Sequence, residues 1–143
     1  MAMKTKSPLA LAKQVLDIEL AGLKAVRAQL DGQFTCAVEA LAEALSRRNK
    51  LVVVGIGKSG NIGQKLAATF NSTGATSVLL DPANALHGDI GLLDDGDVVL
   101  ALSYSGESEE LINLIAAIKR FPVKIIAFTG VPKSALARLS DVV

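Results

Sequence analysis

Val52-Val53-Val54-Gly55-Ile56-Gly57-Lys58-Ser59-Gly60 is the stretch whose reading decides the fold. A run of β-branched residues ending at a glycine reads as a buried parallel strand. Glycines at 55, 57 and 60 let the backbone turn tightly and approach a ligand closely. The spacing predicts a helix over 61–73, whose N-terminal amides then face whatever sits in the loop, an arrangement suited to an anion. Lys58 adds a full positive charge, and the stretch is read as a phosphate-binding loop.

Downstream of it, short apolar runs alternate with helical stripes. Strands are expected over 51–54, 77–80, 97–102 and 123–128. Helices are expected over 61–73, with Ile62, Leu66, Thr69 and Phe70 inward, over 107–119, with Leu111, Ile112, Ile115 and Ile118 on one stripe, and over 134–139. Gly74 reads as a helix stop. Such β-α alternation implies a parallel sheet covered on both faces, right-handed crossovers, and ligands bound beyond the carboxyl ends of the strands.

Upstream, two helices precede the first strand. Over 7–30 the leucines Leu9, Leu16, Leu23 and Leu30 fall seven apart, with Ala12, Leu20 and Val26 on the same face. That face reads equally as core or as a helix-pairing surface in a homo-oligomer. Asp31-Gly32 breaks the helix. A second amphipathic helix follows, with Phe34, Val38, Leu41, Ala42 and Leu45 on one side. The expected organisation is a single α/β domain, with helices at 1–48 and a β/α sandwich at 49–143.

Composition narrows the function classes. The 143 residues are 50% hydrophobic but only 3% aromatic, a core of Ala, Val, Leu and Ile. Fifteen basic against fourteen acidic residues leave no basic stripe, which argues against a nucleic-acid or membrane-surface partner. The lone Cys36 cannot form an internal disulfide, and neither a membrane-length apolar run nor a signal-peptide core is present, so a cytoplasmic location is expected.

Gly55-x-Gly57-x-x-Gly60, with Asp81 at the end of the next expected strand, also fits a dinucleotide-binding fingerprint. Against that reading stand the two leading helices, a chain short for two mononucleotide halves, and a second polar loop that such a cofactor does not require. A nucleotide-triphosphate loop would need glycine where Val52 stands. The second loop is Ser103-Tyr104-Ser105-Gly106-Glu107-Ser108-Glu109-Glu110, again between a buried strand and a helix. Ser105 or Ser108 alone would read as a helix cap. Three hydroxyls around a glycine, beside a separate Lys-Ser loop, suggest one phosphate held between two loops.

GIGKSG at 55–60, STG at 72–74, ALHGDIGLL at 85–93 and SYSGESEE at 103–110 together resemble the sugar isomerase (SIS) domain. Within that family the similarity is to the arabinose 5-phosphate isomerases, and it runs from about Leu9 to Val143. The resemblance implies a three-layer, flavodoxin-like α/β/α sandwich and a homodimer or homotetramer with shared active sites. It implies phosphate contacts from Ser59, Ser103, Ser105 and Ser108 around Gly106, with Gly74 and Ala75 near the sugar. The reaction implied is the interconversion of arabinose 5-phosphate and ribulose 5-phosphate through a cis-enediolate, without a cofactor, with Lys58, His87 and Glu110 as the catalytic positions. The pathway implied is the supply of the eight-carbon acid Kdo for lipopolysaccharide or capsule. SIS domains also serve as sugar-phosphate sensors in transcriptional regulators, but residues 1–50 show no basic recognition helix.

Two departures from the family pattern shape the expectations. The family's His-Pro-x-Glu-Ala-x-His reads Asp81-Pro82-Ala83-Asn84-Ala85-Leu86-His87 here. Asp81 is a weaker, oxygen-only substitute for a zinc-binding histidine, so no structural metal is expected, only an adventitious Asp81–His87 site. The sequence also ends at Ser140-Asp141-Val142-Val143, where a fifth strand should begin. The family continues there with a glutamate, a Thr/Ser-rich helix start and a histidine, often followed by paired CBS domains. The chain is thus expected to be an incomplete SIS domain.

Overall fold

The computed structural model describes residues 7–85 and 87–143. They form two compact units, one reaching Phe34 and the other running from Thr35 to Val143. The first is dominated by α1 (Pro8–Gln29). Ser7 caps it, its Oγ accepting the Ala10 N–H at 3.2 Å, and Pro8 sits in the first turn, where a missing N–H costs nothing. No residue of α1 is buried, and Leu9, Leu16, Leu23 and Leu30 are all exposed. The reading of that stripe as core is therefore not met.

The second unit holds α2 (Gly32–Ser46) from Thr35 onward, then β1 (Leu51–Gly55), α3 (Lys58–Ser72), β2 (Ser77–Leu80) and α4 (Pro82–Ala85). A 3-10 turn (Asp89–Leu92), β3 (Val98–Ser103), α5 (Glu109–Ile118), β4 (Lys124–Thr129) and α6 (Ala135–Leu139) follow. The four strands are parallel in the order β2-β1-β3-β4. The chain thus reverses its direction of winding between β2 and β3, the doubly wound arrangement expected from the alternation. Every residue of β1 and of β3 is buried, as central strands covered on both faces require.

Two apolar layers flank the sheet. On one face Leu111, Leu114, Ile115 and Ile118 of α5 and Leu136 of α6 pack against Val52, Val54, Val99, Ala101 and Ile125. Each fully buried Leu or Ile contributes about 2 kcal/mol of transfer free energy. On the other face α2 and α3 meet Leu51, Val53, Val98, Leu100 and Leu102, mainly through small residues. Here the sequence expectations need correction. Leu41, Leu66 and Phe70 pack inward as expected, but the fully buried positions of α2 are Ala37 and Ala44, with Phe34, Val38 and Ala42 exposed, and those of α3 are Gly63 and Ala67, with Ile62 and Thr69 exposed. A β-carbon at Gly63 would lie 3.0 Å from Val53 Cγ1 and 3.1 Å from Leu79 Cδ1, so α3 rides directly on the sheet. That close approach rotates the bulkier Ile62 to the rim.

A buried carboxylate ties the amino ends of the two central strands together. Asp97, almost wholly buried, accepts the N–H of Lys50 at 2.9 Å and of Asp94 at 2.9 Å and pairs with the Lys50 ammonium at 2.7 Å. Burial opposes ionisation of Asp97, but the Lys50 N–H, the Lys50 ammonium and the Asp94 N–H outweigh it and hold the carboxyl below its ordinary value. Burial likewise opposes the charge on Lys50, and its bonds to Asp94 and Asp97 outweigh that and raise it. At the far edge of the sheet Val142 bridges Ile126 in parallel, its carbonyl accepting the Ala127 N–H at 2.8 Å. That bridge lies where a fifth strand is expected to begin.

Asp97→Ala strands two backbone N–H groups and leaves the mostly buried Lys50 ammonium with Asp94 alone, and should cost about 3 kcal/mol, read as a lower melting temperature at neutral pH. A carboxyl whose folded pKa lies below its unfolded value stabilises the fold above the unfolded pKa, about 3.9, and loses that contribution as pH falls through the folded value. The melting temperature of the unmodified chain should therefore drop more steeply below about pH 5 than that of Asp97→Ala.

Candidate functional site

β1 ends at Gly55, and the chain turns through Gly57, whose φ of 56° suits glycine, directly into the first turn of α3. The helix starts at Lys58, three residues earlier than the sequence spacing predicts, so Lys58 and Ser59 belong to its first turn and not to a loop before it. The early start depends on two glycines in contact. A β-carbon on Gly60 would lie 2.9 Å from the Gly55 carbonyl oxygen, and one on Gly55 would lie 3.0 Å from the Gly60 nitrogen. The end of the strand and the start of the helix can approach this closely only without side chains. Helix N-terminal N–H groups, with the exposed Lys58 side chain, are thereby gathered at the carboxyl end of β1.

β3 runs beside β1 with Gly55 opposite Leu102. Neighbouring strands lie about 4.8 Å apart, so the loop after β3 leaves the sheet next to the start of α3. In that loop Ser103 Oγ accepts the Gly106 N–H at 3.0 Å and Ser105 Oγ accepts the Glu107 N–H at 3.3 Å. A serine oxygen that already accepts a backbone N–H keeps its own proton for an outside acceptor. Ser108 occupies the N-cap of α5, yet its side chain makes no capping bond. The reading of Ser105 and Ser108 as simple caps is therefore not what the geometry shows. Gly106 has φ 65°, and a β-carbon there would overlap Ser134 Oγ and come within 2.5 Å of Ser134 Cβ. Ser134, 28 residues away in the sequence, has no local signal that would have revealed this contact.

His87 lies between α4 and the 3-10 turn, exposed, its N–H donating to the Asn84 carbonyl at 2.9 Å. Its segment follows β2, which pairs β1 with Leu80 opposite Val54. The strand order therefore sets the end of β2, from which the His87 segment departs, the Lys58 turn and the serine loop in sequence along one edge of the sheet. Glu110, in the first turn of α5, is exposed at the same edge. Asp81 caps α4, its Oδ1 accepting the N–H groups of Ala83 at 3.0 Å and Asn84 at 3.2 Å. Among the described residues no group of three or more His, Cys, Asp and Glu is placed to hold a metal ion.

Gly74 and Ala75 are not brought to this edge. They connect α3 to β2, and a crossover helix returns the chain to the amino end of the sheet before the next strand begins. There they line an opening of about 430 Å³ with Leu45, Arg48, Asn49, Thr73 and Thr76. Within one chain they lie across the length of the sheet from Lys58 and the serine loop.

Residues 44–143 match the SIS domain family. The chain is 46% identical over 130 residues to the arabinose 5-phosphate isomerase KdsD of Salmonella typhi, covering 91% of this chain and 39% of that protein. It is 41% identical over 131 residues to KdsD of Pseudomonas aeruginosa, covering 92% of this chain and 39% of that protein. The chain thus spans about two fifths of the length of these curated relatives. An Escherichia coli CFT073 protein solved in complex with arabinose 5-phosphate superposes with a TM-score of 0.79 at 34% identity, covering 96% of this chain and 73% of that one. A phosphoheptose isomerase from Francisella tularensis shares the fold, with a TM-score of 0.78 at 20% identity over 95% of this chain and 82% of that one. Among the described residues no helix is long and apolar enough to cross a membrane.

Gly106→Ala should cost about 2 kcal/mol from the left-handed backbone alone and more from the contact with Ser134. Thermal melting checks the loss of stability. Disappearance of phosphate-induced amide shifts at 103–108 checks that the loop has lost its shape.

Proposed function

Because the chain belongs to the SIS domain family, we propose that it binds a sugar phosphate at the carboxyl edge of its sheet and catalyses the interconversion of arabinose 5-phosphate and ribulose 5-phosphate. The observation carrying this reading is the adjacency of two anion-seeking loops on neighbouring strands, Gly55–Gly60 and Ser103–Ser108, with serine protons left free to donate. Ser59, Ser103, Ser105 and Ser108, with the amides around Gly106, hold the phosphate, and the first-turn N–H groups of α3 and α5 add their dipoles. The relatives named arabinose 5-phosphate isomerase support the choice of sugar. A place in supplying arabinose 5-phosphate for Kdo, and so for lipopolysaccharide or capsule, is part of the same proposal.

The chemistry needs a base for the C2 proton, a donor or cation for the enediolate oxygens, and return of a proton to C1. In the opposite direction the proton leaves C1 and returns to C2, so a single group placed over both carbons serves both. Lys58 supplies the positive charge, and Glu110 and His87, on flanking segments of the same edge, are the candidate proton carriers. No cofactor takes part in this scheme. A homodimer or homotetramer with shared sites is also part of the proposal, since Gly74 and Ala75 would reach a sugar at this edge only from a second copy.

A proton NMR time course of arabinose 5-phosphate with the chain in heavy water should show ribulose 5-phosphate appearing and deuterium entering at C1 or C2. Binding without turnover or exchange would overturn the isomerase reading in favour of a sugar-phosphate sensor, and absence of binding would overturn the site itself. Lys58→Ala and Glu110→Gln should each lower kcat by about 10²-fold or more, as loss of charge stabilisation or of a proton carrier does. Ser105→Ala should instead raise KM, by about tenfold for one lost hydrogen bond to a charged group.

A further inference from the structure

The serine loop is held from outside as well as from within. On one flank the Tyr104 carbonyl accepts the Gly130 N–H at 3.0 Å and the Thr129 hydroxyl at 3.3 Å. On the other the Gly106 carbonyl accepts the Leu136 N–H at 3.0 Å, and Glu107 Oε1 accepts the Ala135 N–H at 2.9 Å. Ser134, fully buried, caps α6 by accepting the Ala137 N–H at 3.3 Å and closes against Gly106. Residues 129–136 thus brace the loop along its length. Most of these bonds are made to the loop's backbone carbonyls, which every substitution retains. The bond to Ala135 is the one that depends on a side chain of the loop itself.

We infer that Glu107 is a positioning residue for the phosphate site: its carboxylate, bound to the Ala135 N–H at the start of α6, holds the Ser105–Ser108 turn in its anion-receiving shape. The inference rests on the phosphate reading given above. Two effects of Glu107 oppose each other and can be separated. As a carboxylate beside a phosphate it repels the ligand, and as a brace it preserves the donors that bind it. Glu107→Gln removes the charge and keeps an acceptor at the same reach, whereas Glu107→Ala removes both. If charge alone mattered, both variants would bind tighter. If the brace matters, only Glu107→Ala weakens binding.

The test is a titration of arabinose 5-phosphate into the full chain, followed on the amides of 103–108, with kcat and KM measured alongside. Glu107→Ala should raise Kd and KM about tenfold with kcat at saturation little changed, and Glu107→Gln should stay within about threefold of the unmodified chain. Without ligand, amide exchange across 103–108 should quicken in Glu107→Ala and not in Glu107→Gln. Unchanged binding and unchanged exchange in a folded Glu107→Ala would overturn the inference. Should Glu107→Ala fail to fold, Glu107→Asp, with the same charge and one methylene less reach, takes its place: weakened binding supports the brace and unchanged binding overturns it. If the unmodified chain binds no sugar phosphate, the site reading fails, and ligand-free exchange alone decides for or against the brace.

Discussion

The parallel pairing of β1 with β3 is the constraint from which the rest of this structure follows. Parallel strands must be joined by crossovers, and here β2 is placed on the far side of β1 before the chain returns to form β3. The ladder from Leu51–Val98 to Gly55–Leu102 keeps the two strand ends level. Both loops therefore leave the sheet at one edge, next to each other, with a helix start behind each. Asp97 secures the other end of the same pair through the Lys50 N–H and ammonium, so the ladder is clasped where it begins and presents the two loops where it ends. Because the Asp97 carboxylate is buried and fully bonded, this clasp is costly to break.

Close packing serves the same geometry. The strand-to-helix turn at Gly55–Gly60 and the seat of Gly63 on Val53 and Leu79 let α3 lie tight against the sheet. A helix held this closely fixes the direction of its first turn, and with it the positions of Lys58 and Ser59. The opposite face uses large aliphatic side chains under α5, giving that helix a firm seat below the serine loop. The two helix starts are thus oriented by different packing, small residues on one face and Leu and Ile on the other. Dipoles and N–H groups already oriented need little reorganisation to receive an anion.

Much of the fold was legible because its signals are local. β-branched runs, helical stripes and glycine punctuation placed all four strands to within a residue or two, and the sheet order agrees with the doubly wound arrangement they imply. The inward faces of α2 and α3 are legible only in part: Leu41, Leu66 and Phe70 pack inward, but periodicity ranks residues by hydrophobicity, whereas close approach to a sheet favours Ala and Gly over Phe34, Val38 and Ile62. The serine loop was legible as a pattern of hydroxyls. Its support by Ser134 and Ala135 was not, since those contacts join residues roughly 30 positions apart with no motif linking them.

What the sequence by itself determined is the order of the elements, the parallel class of the sheet and the two loops rich in glycine, serine and lysine, because each depends on the intrinsic preferences of a few neighbouring residues. Only the tertiary structure decided which of those residues meet. Strand order brings the Lys58 turn, the serine loop and the end of β2 to one edge, with Glu110 in the helix turn behind the serine loop, and the return of α3 carries Gly74 and Ala75 to the other. The physical reason is that hydrogen-bonded register and crossover direction are properties of pairs of segments. No single stretch of chain carries them.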